Sequence, residues 1–143
     1  MKKQEFILAV LSTKSDHKYS PVQVQKLFFL IDRLLAPKLD QVFFNFQPYH
    51  YGPFDSTLYK ELEDLFFNDF LKIYRTSYNG YRIYTLTDKG IQKGSECLKE
   101  LKKDIQSDIA DLNNFVTSLS FTELLSVIYK EYPDMKANSI FNC

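Results

Sequence analysis

Tryptophan is absent from this sequence, and glycine and proline are scarce, with 4 and 5 residues among 143. Disordered and low-complexity chains are poor in aromatic residues and rich in glycine, proline and polar residues, so this composition excludes that class. Phenylalanine and tyrosine are abundant instead, with 13 and 10 residues. Since the chain is about one domain long, we expect a single domain over residues 1–143 with an aromatic-rich core.

Residues that bind metals or act as nucleophiles are also few. The two cysteines, Cys97 and Cys143, form no CxxC or CxxH pattern, and neither His17 nor His50 has a second ligand at metal-binding spacing. Glycine-rich phosphate loops and the GxSxG and HExxH motifs are absent. The sequence therefore predicts a protein that is not an enzyme and has no cofactor or metal, with a catalytic or metal role of His50 as the minor alternative.

Long hydrophobic runs are missing as well. The N-terminus combines two lysines with an apolar run of six residues, Phe6–Leu11, but has no small-residue cleavage site, so we predict a core helix and not a signal peptide. No stretch approaches the roughly 18 apolar residues that a membrane span needs. With unpaired thiols typical of a reducing compartment, these features favour a cytoplasmic protein without a membrane partner.

Net charge is zero, with 18 basic and 18 acidic side chains, but the charges are segregated. Residues 55–69 carry one basic and five acidic groups, which gives −4, and residues 70–93 carry five basic and one acidic group, which gives +4. A chain without a basic excess does not by itself indicate nucleic-acid binding. Electrostatic roles therefore have to be considered segment by segment.

The central stretch of the chain, Tyr49 to Leu86, predicts a bend, a helix and a β-hairpin in that order. Proline and glycine bracket an aromatic bend at residues 49–55, and Asp55 or Ser56 begins a helix with Leu58, Leu62, Leu65 and Phe66 facing inward. Two runs of β-forming residues flank Asn79-Gly80, a pair that matches a two-residue type I′ turn.

This order is that of the second half of a winged helix-turn-helix. We expect a mainly α fold with a small β-hairpin, a winged helix-turn-helix-like domain with its core in residues 1–93 and its wing in residues 70–86. The wing should place Leu71, Ile73, Tyr84 and Leu86 on the same face as Arg75 and Arg82.

Helices are predicted on both sides of this stretch. The patterns indicate a helix from about Lys3 to Ser12, and a second from the Ser20-Pro21 start signal to about Leu35, apolar on most sides, with Leu34 in the buried face. Alternating residues from Val42 to Phe46 predict a short strand. A capping-box pattern at Ser120–Glu123 begins the last helix.

A long helix is predicted from Thr87 onward within the C-terminal helices, residues 88–143. Its apolar residues recur on average every 3.5 positions, with a possible break near Asn113-Asn114: Leu98, Leu101, Ile105, Ile109, Leu112, Val116 and Leu119. Such a seam packs either inside the domain or against a second copy, so a homodimer through residues 91–119 is one alternative.

Two kinds of partner have candidate residues. For protein interaction these are aromatic residues in the bend and beside the turn, although most such residues are core residues: Tyr49, Tyr51, Phe54, Tyr78 and Tyr81. For DNA they are basic residues of the wing and its flank: Lys72, Arg75, Arg82 and Lys89. The −4 segment at the position of a groove-reading helix opposes DNA binding, because phosphates would repel it.

Several short motifs stand out together: Lys26-Leu27-Phe28-Phe29-Leu30, the run from Phe44 to Asp55 with its Tyr-Gly-Pro bend, the run from Tyr84 to Gly90, Tyr132-Pro133 and Asn138-Ser139. These motifs resemble the YwgA-like family of small bacterial proteins and, more distantly, the SocA-type or Panacea domain associated with antitoxins. The resemblance implies a bacterial or archaeal intracellular domain that acts by contact with a toxin or defence effector, or as an adaptor, without catalytic residues. The leading prediction is thus a protein-interaction module, and the alternative is a dimeric winged-helix transcriptional regulator.

Overall fold

The computed structural model describes residues 1–141, so the predicted free thiol of Cys143 lies outside the described residues. The elements in chain order are α1 (Lys3–Ser12), α2 (Pro21–Leu39), β1 (Gln47–Tyr49), β2 (Gly52–Phe54), α3 (Ser56–Phe67), β3 (Leu71–Arg75), β4 (Arg82–Leu86), α4 (Asp88–Lys99), α5 (Lys103–Ser118), α6 (Phe121–Glu131) and a 3₁₀ helix (Pro133–Lys136). The strands form two antiparallel pairs, β1–β2 and β3–β4. The expected mainly α fold with a small β-hairpin is confirmed.

Helix α2 is the centre of the core. Ser20 caps it by accepting a hydrogen bond from the Gln23 amide, and Pro21 is its first residue, as predicted. The helix continues past Pro37 to Leu39, so the predicted end at Leu35 is wrong. A proline in the last turn removes only one backbone hydrogen bond, and the helix ends two residues later.

Most of the circumference of α2 is buried, but Leu34 is 52% exposed, contrary to its predicted place in the buried face. The buried residues of α2 belong to one connected apolar cluster that includes residues from Phe6 in α1 to Met135 in the 3₁₀ helix.

Among residues 1–141, each helix is too short or too polar to cross a bilayer.

The predicted strand at residues 42–46 is wrong, because this segment pairs with no strand in the part of the chain that the structure describes. Its rings pack separately on the helices. Phe43 stacks on Phe6 with ring centroids 4.4 Å apart, and Phe44 packs edge-on against Phe28 at 5.6 Å. Val42 is exposed, so the alternating pattern reflects ring packing by an irregular segment and not strand pairing.

The aromatic bend is a tight β-hairpin. Tyr49 pairs with Gly52, which leaves His50 and Tyr51 as a two-residue loop. Gly52 has a φ of +90°, a backbone conformation that residues with a Cβ rarely adopt. Asp55 then caps α3, with its side chain accepting a hydrogen bond from the Thr57 amide, as one of the two predicted caps.

The second hairpin has the predicted strands but a different turn. Arg75 pairs with Arg82, and hydrogen bonds between Thr76 and Tyr81 and from Gly80 to Thr76 close a four-residue loop over residues 77–80. The predicted type I′ turn is wrong, since Gly80 has a positive φ and Asn79 does not. The Asn79 side chain accepts from the Tyr81 amide instead, which stabilises the longer loop.

The longer loop shifts the pairing between β3 and β4 by two residues relative to the predicted hairpin. Because side chains alternate between the two faces of a strand, a shift of two leaves each residue on its predicted face. Leu71 lies opposite Leu86, and Ile73 lies opposite Tyr84, on the same side as Arg75 and Arg82, as predicted. Tyr84 also pairs with Tyr19, whose amide and carbonyl each form a backbone hydrogen bond with it. The segment between α1 and α2 therefore adds a one-residue bridge to this sheet.

The predicted long C-terminal helix is two helices, α4 and α5, which are separated at residues 100–102. They pack on different partners, α4 on α1 and α5 mainly on α2, and this requires the chain to turn between them. The suggested break near Asn113 is wrong. Asn113 is buried inside α5, and its amide donates to the Tyr19 hydroxyl at 2.8 Å.

Much of the predicted seam packs within the chain, with Ile105, Ile109 and Val116 buried. A homodimer through this region stays a prediction.

Helix α6 begins at the predicted capping box, in which Ser120 and Glu123 exchange hydrogen bonds between side chain and backbone.

Candidate functional site

A groove of about 840 Å³ lies where the start of α2, the β1–β2 loop, the tip of the β3–β4 hairpin and the start of α6 meet. We call it the aromatic groove, because most of its wall is apolar and four of its residues have aromatic rings. Its lining residues are Ser20, Pro21, Val22, Tyr51, Arg75, Gly80, Tyr81, Arg82, Phe121 and Phe141.

One wall of the aromatic groove is a row of three rings. Tyr51 packs edge-on against Phe121 at 5.6 Å, and Phe121 packs edge-on against Phe141 at 5.2 Å. Tyr51 and Phe121 each remain partly exposed. Rings held by neighbouring rings lose little conformational freedom on binding, so this wall is suited to receive an apolar side chain.

Backbone contacts hold this wall in place. The Ile140 amide donates to the His50 carbonyl at 3.0 Å, and the Ser139 hydroxyl donates to the same oxygen at 3.3 Å. The segment that carries Phe141 is thereby attached to the loop that carries Tyr51. Below the loop, a Cβ on Gly52 would lie 3.2 Å from Leu125 of α6, so the hairpin lies close against that helix.

The β1–β2 hairpin is itself anchored to α2 by two adjacent side chains. Gln25 donates to the Asp55 carbonyl and accepts from the Asp55 amide, both at 2.9 Å. The Lys26 amine donates to the Pro53 carbonyl at 3.1 Å. Lys26 is buried, and burial lowers its pKa to about 7. These contacts connect two of the sequence motifs, the helix motif at Lys26 and the Tyr-Gly-Pro bend.

The hairpin end of the groove is basic. Arg75 and Arg82 lie directly opposite each other in the β3–β4 register, and both line the groove. Arg75 donates to the Gly80 carbonyl at 2.8 Å, and Arg82 lies 3.7 Å from a carboxylate oxygen of Glu63 in α3. Within residues 1–141, the lining includes no aspartate or glutamate. The groove therefore joins apolar walls to a positively charged end.

The structure brings four of the nine candidate residues together in this groove: Tyr51, Tyr81, Arg75 and Arg82. The other aromatic candidates lie elsewhere. Tyr49 stacks on His50 and on Phe54, with centroids 4.3 and 5.0 Å apart, and Tyr78 is 95% exposed in the hairpin loop. Whether any of these residues binds a partner stays a prediction.

The two lysine candidates also lie outside the groove lining. Lys72 is exposed on β3. Lys89 donates to the Asn68 carbonyl at 3.0 Å, and its amine lies 4.4 Å from the centre of the Phe70 ring. Lys89 thus holds the start of α4 against the end of α3.

Sequence reasoning missed four apolar lining residues, Pro21, Val22, Phe121 and Phe141. Pro21 and Phe121 are the first residues of α2 and α6. Their place in a helix-start pattern is enough to explain them, so nothing in the sequence indicated that they line a binding site. No local pattern could have joined them, because they come from segments about a hundred residues apart.

A smaller cleft of about 440 Å³ lies between α3 and the β3–β4 hairpin, and Arg75 and Arg82 line it as well. Phe66 was predicted to face inward, but it is 40% exposed, and Phe67 beside it is 77% exposed. The buried residues of α3 are Leu58, Leu62 and Leu65, so its apolar buried face is narrower than the sequence predicts. The end of α3 therefore presents phenylalanine rings beside Glu63.

Asp32 is a second unusual titratable group. Burial raises the pKa of its carboxyl to about 6, although the Phe44 amide partly opposes this shift. Its Oδ2 atom is buried without a hydrogen-bond partner among the described residues. It lies beside a shallow cleft lined by Phe29, Arg33 and Phe44, away from the aromatic groove.

Metal chemistry has no visible site in residues 1–141, where no three histidine, cysteine, aspartate or glutamate residues are grouped to hold an ion. His50 is exposed, and its ring stacks on Tyr49.

No family model matches the chain, and neither a curated protein nor a solved structure is similar enough to it to indicate a relationship.

Proposed function

We propose that this chain is a non-enzymatic protein-interaction module that binds its partner in the aromatic groove. The observation that carries the proposal is the groove itself, which has a volume of about 840 Å³ and mostly apolar walls. Tyr51 and Tyr81 lie on these walls, and two arginines lie at one end. Exposed apolar depressions with aromatic and arginine side chains are typical of protein interfaces.

The proposed type is an antitoxin, a defence accessory or an adaptor, with a toxin or defence effector as partner in a bacterial cytoplasm. This part rests on the sequence resemblance to the YwgA-like and Panacea domains, which implies action by contact. The groove supports contact but does not specify the partner.

Affinity capture from the native host tests the proposal. The tagged wild type should retain a stoichiometric partner, and the double variant Tyr51→Ser plus Tyr81→Ser should lose it. Tyr78→Ser is the matched control, since Tyr78 is 95% exposed at the tip of the same hairpin as Tyr81 and lies outside the groove lining. An isolated wild-type protein, or a partner that all three proteins retain equally, would count against the proposal.

The second candidate is a dimeric winged-helix transcriptional regulator. One observation favours it: Tyr19 bridges to Tyr84, so a one-residue strand contact between α1 and α2 joins the β3–β4 hairpin, as in a winged helix, although the β1–β2 hairpin stands between α2 and α3. Lys72 and Arg75 on the hairpin are exposed and available for phosphates. The pairing of Arg82 with Glu63 of α3 opposes it, since this carboxylate would face the same phosphates.

A gel shift with DNA from upstream of its own gene decides between the candidates. Binding through phosphates should weaken steeply as salt rises and should be lost in the double variant Arg75→Ala plus Arg82→Ala. A missing shift at low salt would remove the regulator, as would a shift that the double variant retains.

A further inference from the structure

The charged end of the aromatic groove is a pair of like charges that one distant carboxylate compensates only in part. Arg75 and Arg82 are cross-strand neighbours, and like charges directly opposite each other destabilise a β-hairpin. Among the described residues no carboxylate lies within ion-pair distance of Arg75. The one near Arg82, on Glu63, is 3.7 Å away, and both side chains are about half exposed, so water screens the pair.

An incoming carboxylate would relieve this repulsion. A guanidinium offers several donors in one plane, and hydrogen bonds between it and a carboxylate are among the strongest in proteins. Among the described residues the groove lining contains no aspartate or glutamate. The groups that already contact the arginines are the Gly80 carbonyl, which accepts from Arg75, and the Glu63 carboxylate, which lies near Arg82.

The adjoining wall selects for an apolar side chain. Tyr51, Phe121 and Phe141 form a row of edge-on rings, and Pro21 and Val22 add aliphatic surface. Rings and branched aliphatic groups pack well on such a surface, whereas a lysine or arginine would meet the two guanidinium groups.

We propose that the aromatic groove recognises a short linear segment of the partner in which an aromatic or large aliphatic residue lies close to an aspartate or glutamate. The carboxylate binds between Arg75 and Arg82, and the apolar side chain packs on the ring row. The inference rests on the proposed function, and it adds the chemistry of the partner.

A selection from a random 12-residue peptide library on phage tests this directly. The library is selected on the wild-type protein after depletion on the Tyr81→Ser variant, which removes peptides that bind elsewhere. Enriched peptides should combine an acidic residue with an aromatic or aliphatic one. Enrichment of basic or uncharged peptides, or no enrichment after depletion, would overturn the inference.

Matched variants then locate the charge contact. A fluorescent enriched peptide should bind Arg75→Gln about tenfold more weakly than wild type, as expected for loss of a hydrogen bond to a charged group. Lys72→Gln is the control, because Lys72 is exposed on the same strand and outside the groove lining. Replacing the acidic residue of the peptide by its amide should weaken binding to wild type similarly but not add to Arg75→Gln.

Two outcomes separate this inference from the proposed function. A native partner that requires Tyr51 and Tyr81 but binds Arg75→Gln as tightly as wild type would overturn the inference and leave the function standing. Acidic peptides that bind as expected, in a protein that captures no native partner, would overturn the function and support the inference. Self-association that Tyr81→Ser abolishes would identify a second copy as the occupant and overturn the inference.

Discussion

At the scale of single residues, Lys26 is an amine buried in the core, and it forms no ion pair with a carboxylate of residues 1–141. Its hydrogen bond to the Pro53 carbonyl positions the β1–β2 hairpin, and burial lowers its pKa to about 7. A buried lysine of this kind costs stability whenever it is charged. Its charge state therefore connects the solution pH to the stability of the fold.

Lys26 should make the protein more stable as pH rises from 7 towards 10. Between the folded pKa of about 7 and the ordinary value of 10.5, the unfolded chain holds a proton that the folded chain has lost, so the free energy of unfolding increases with pH. Relative to Lys26→Met, wild type should gain about 2 kcal/mol between pH 7 and pH 9 in urea denaturation. The exposed-site variant Lys72→Met should follow wild type, and parallel curves for Lys26→Met would contradict the assignment.

Asp32 should lower the free energy of unfolding as pH rises from about 4 to 7, which is opposite to the effect of Lys26. Its carboxyl has a pKa of about 6 in the folded chain against an ordinary 3.8, so charging it costs stability as pH rises through this window. We expect Asp32→Asn to be about 1 kcal/mol more stable than wild type at pH 7, after allowance for its partial exposure, and to match it at pH 4. Thermal unfolding at both pH values checks this, with Asp111→Asn on an exposed site as the control, and equal stability at pH 7 would refute it.

At the scale of elements, signals that lie within a few residues were predicted well. The start of α2 at Ser20-Pro21 and that of α6 at Ser120–Glu123 are local caps, and the strands of the wing follow local β propensity. The failures involve competition between local and tertiary contacts. The rings at residues 42–46 pack on helices instead of pairing, and the Asn79 side chain replaces the expected backbone turn.

The division of the predicted long helix into α4 and α5 has the same origin. A regular apolar seam indicates a buried face, but it does not say that one half of the face packs on α1 and the other on α2. The bounds of the two helices therefore could not be derived from the seam.

Close packing of α4 on α1 gives a prediction for Gly94. A Cβ at this position would lie 2.4 Å from the Leu8 carbonyl oxygen and 2.8 Å from the Ser12 Cβ, so Gly94→Ala must push the helices apart. We expect a loss of about 2 kcal/mol or more in the free energy of unfolding, measured by urea denaturation. Gln92→Ala, on an exposed site of the same helix, should change it by less than about 0.5 kcal/mol. Equal stabilities would mean that the helices do not approach this closely.

At the scale of the whole molecule, the aromatic groove is a product of tertiary structure. Its walls come from the start of α2, two hairpins, the start of α6 and the segment after the 3₁₀ helix. The sequence indicated Tyr51, Tyr81, Arg75 and Arg82 as candidates by residue type. It could not show that these four converge while Tyr49, Tyr78 and Lys72 do not, because convergence depends on how distant segments pack.

The measurement that tests the central claim most directly is the calorimetric affinity of the captured partner for three proteins: wild type, Tyr81→Ser and Tyr78→Ser. Both tyrosines are exposed at the tip of the β3–β4 hairpin, Tyr78 within the loop and Tyr81 directly after it, but only Tyr81 lines the groove. If the groove is the binding site, Tyr81→Ser should weaken binding by about tenfold or more, as expected for an aromatic anchor, and Tyr78→Ser should bind like wild type. Equal affinities for all three proteins would contradict the claim.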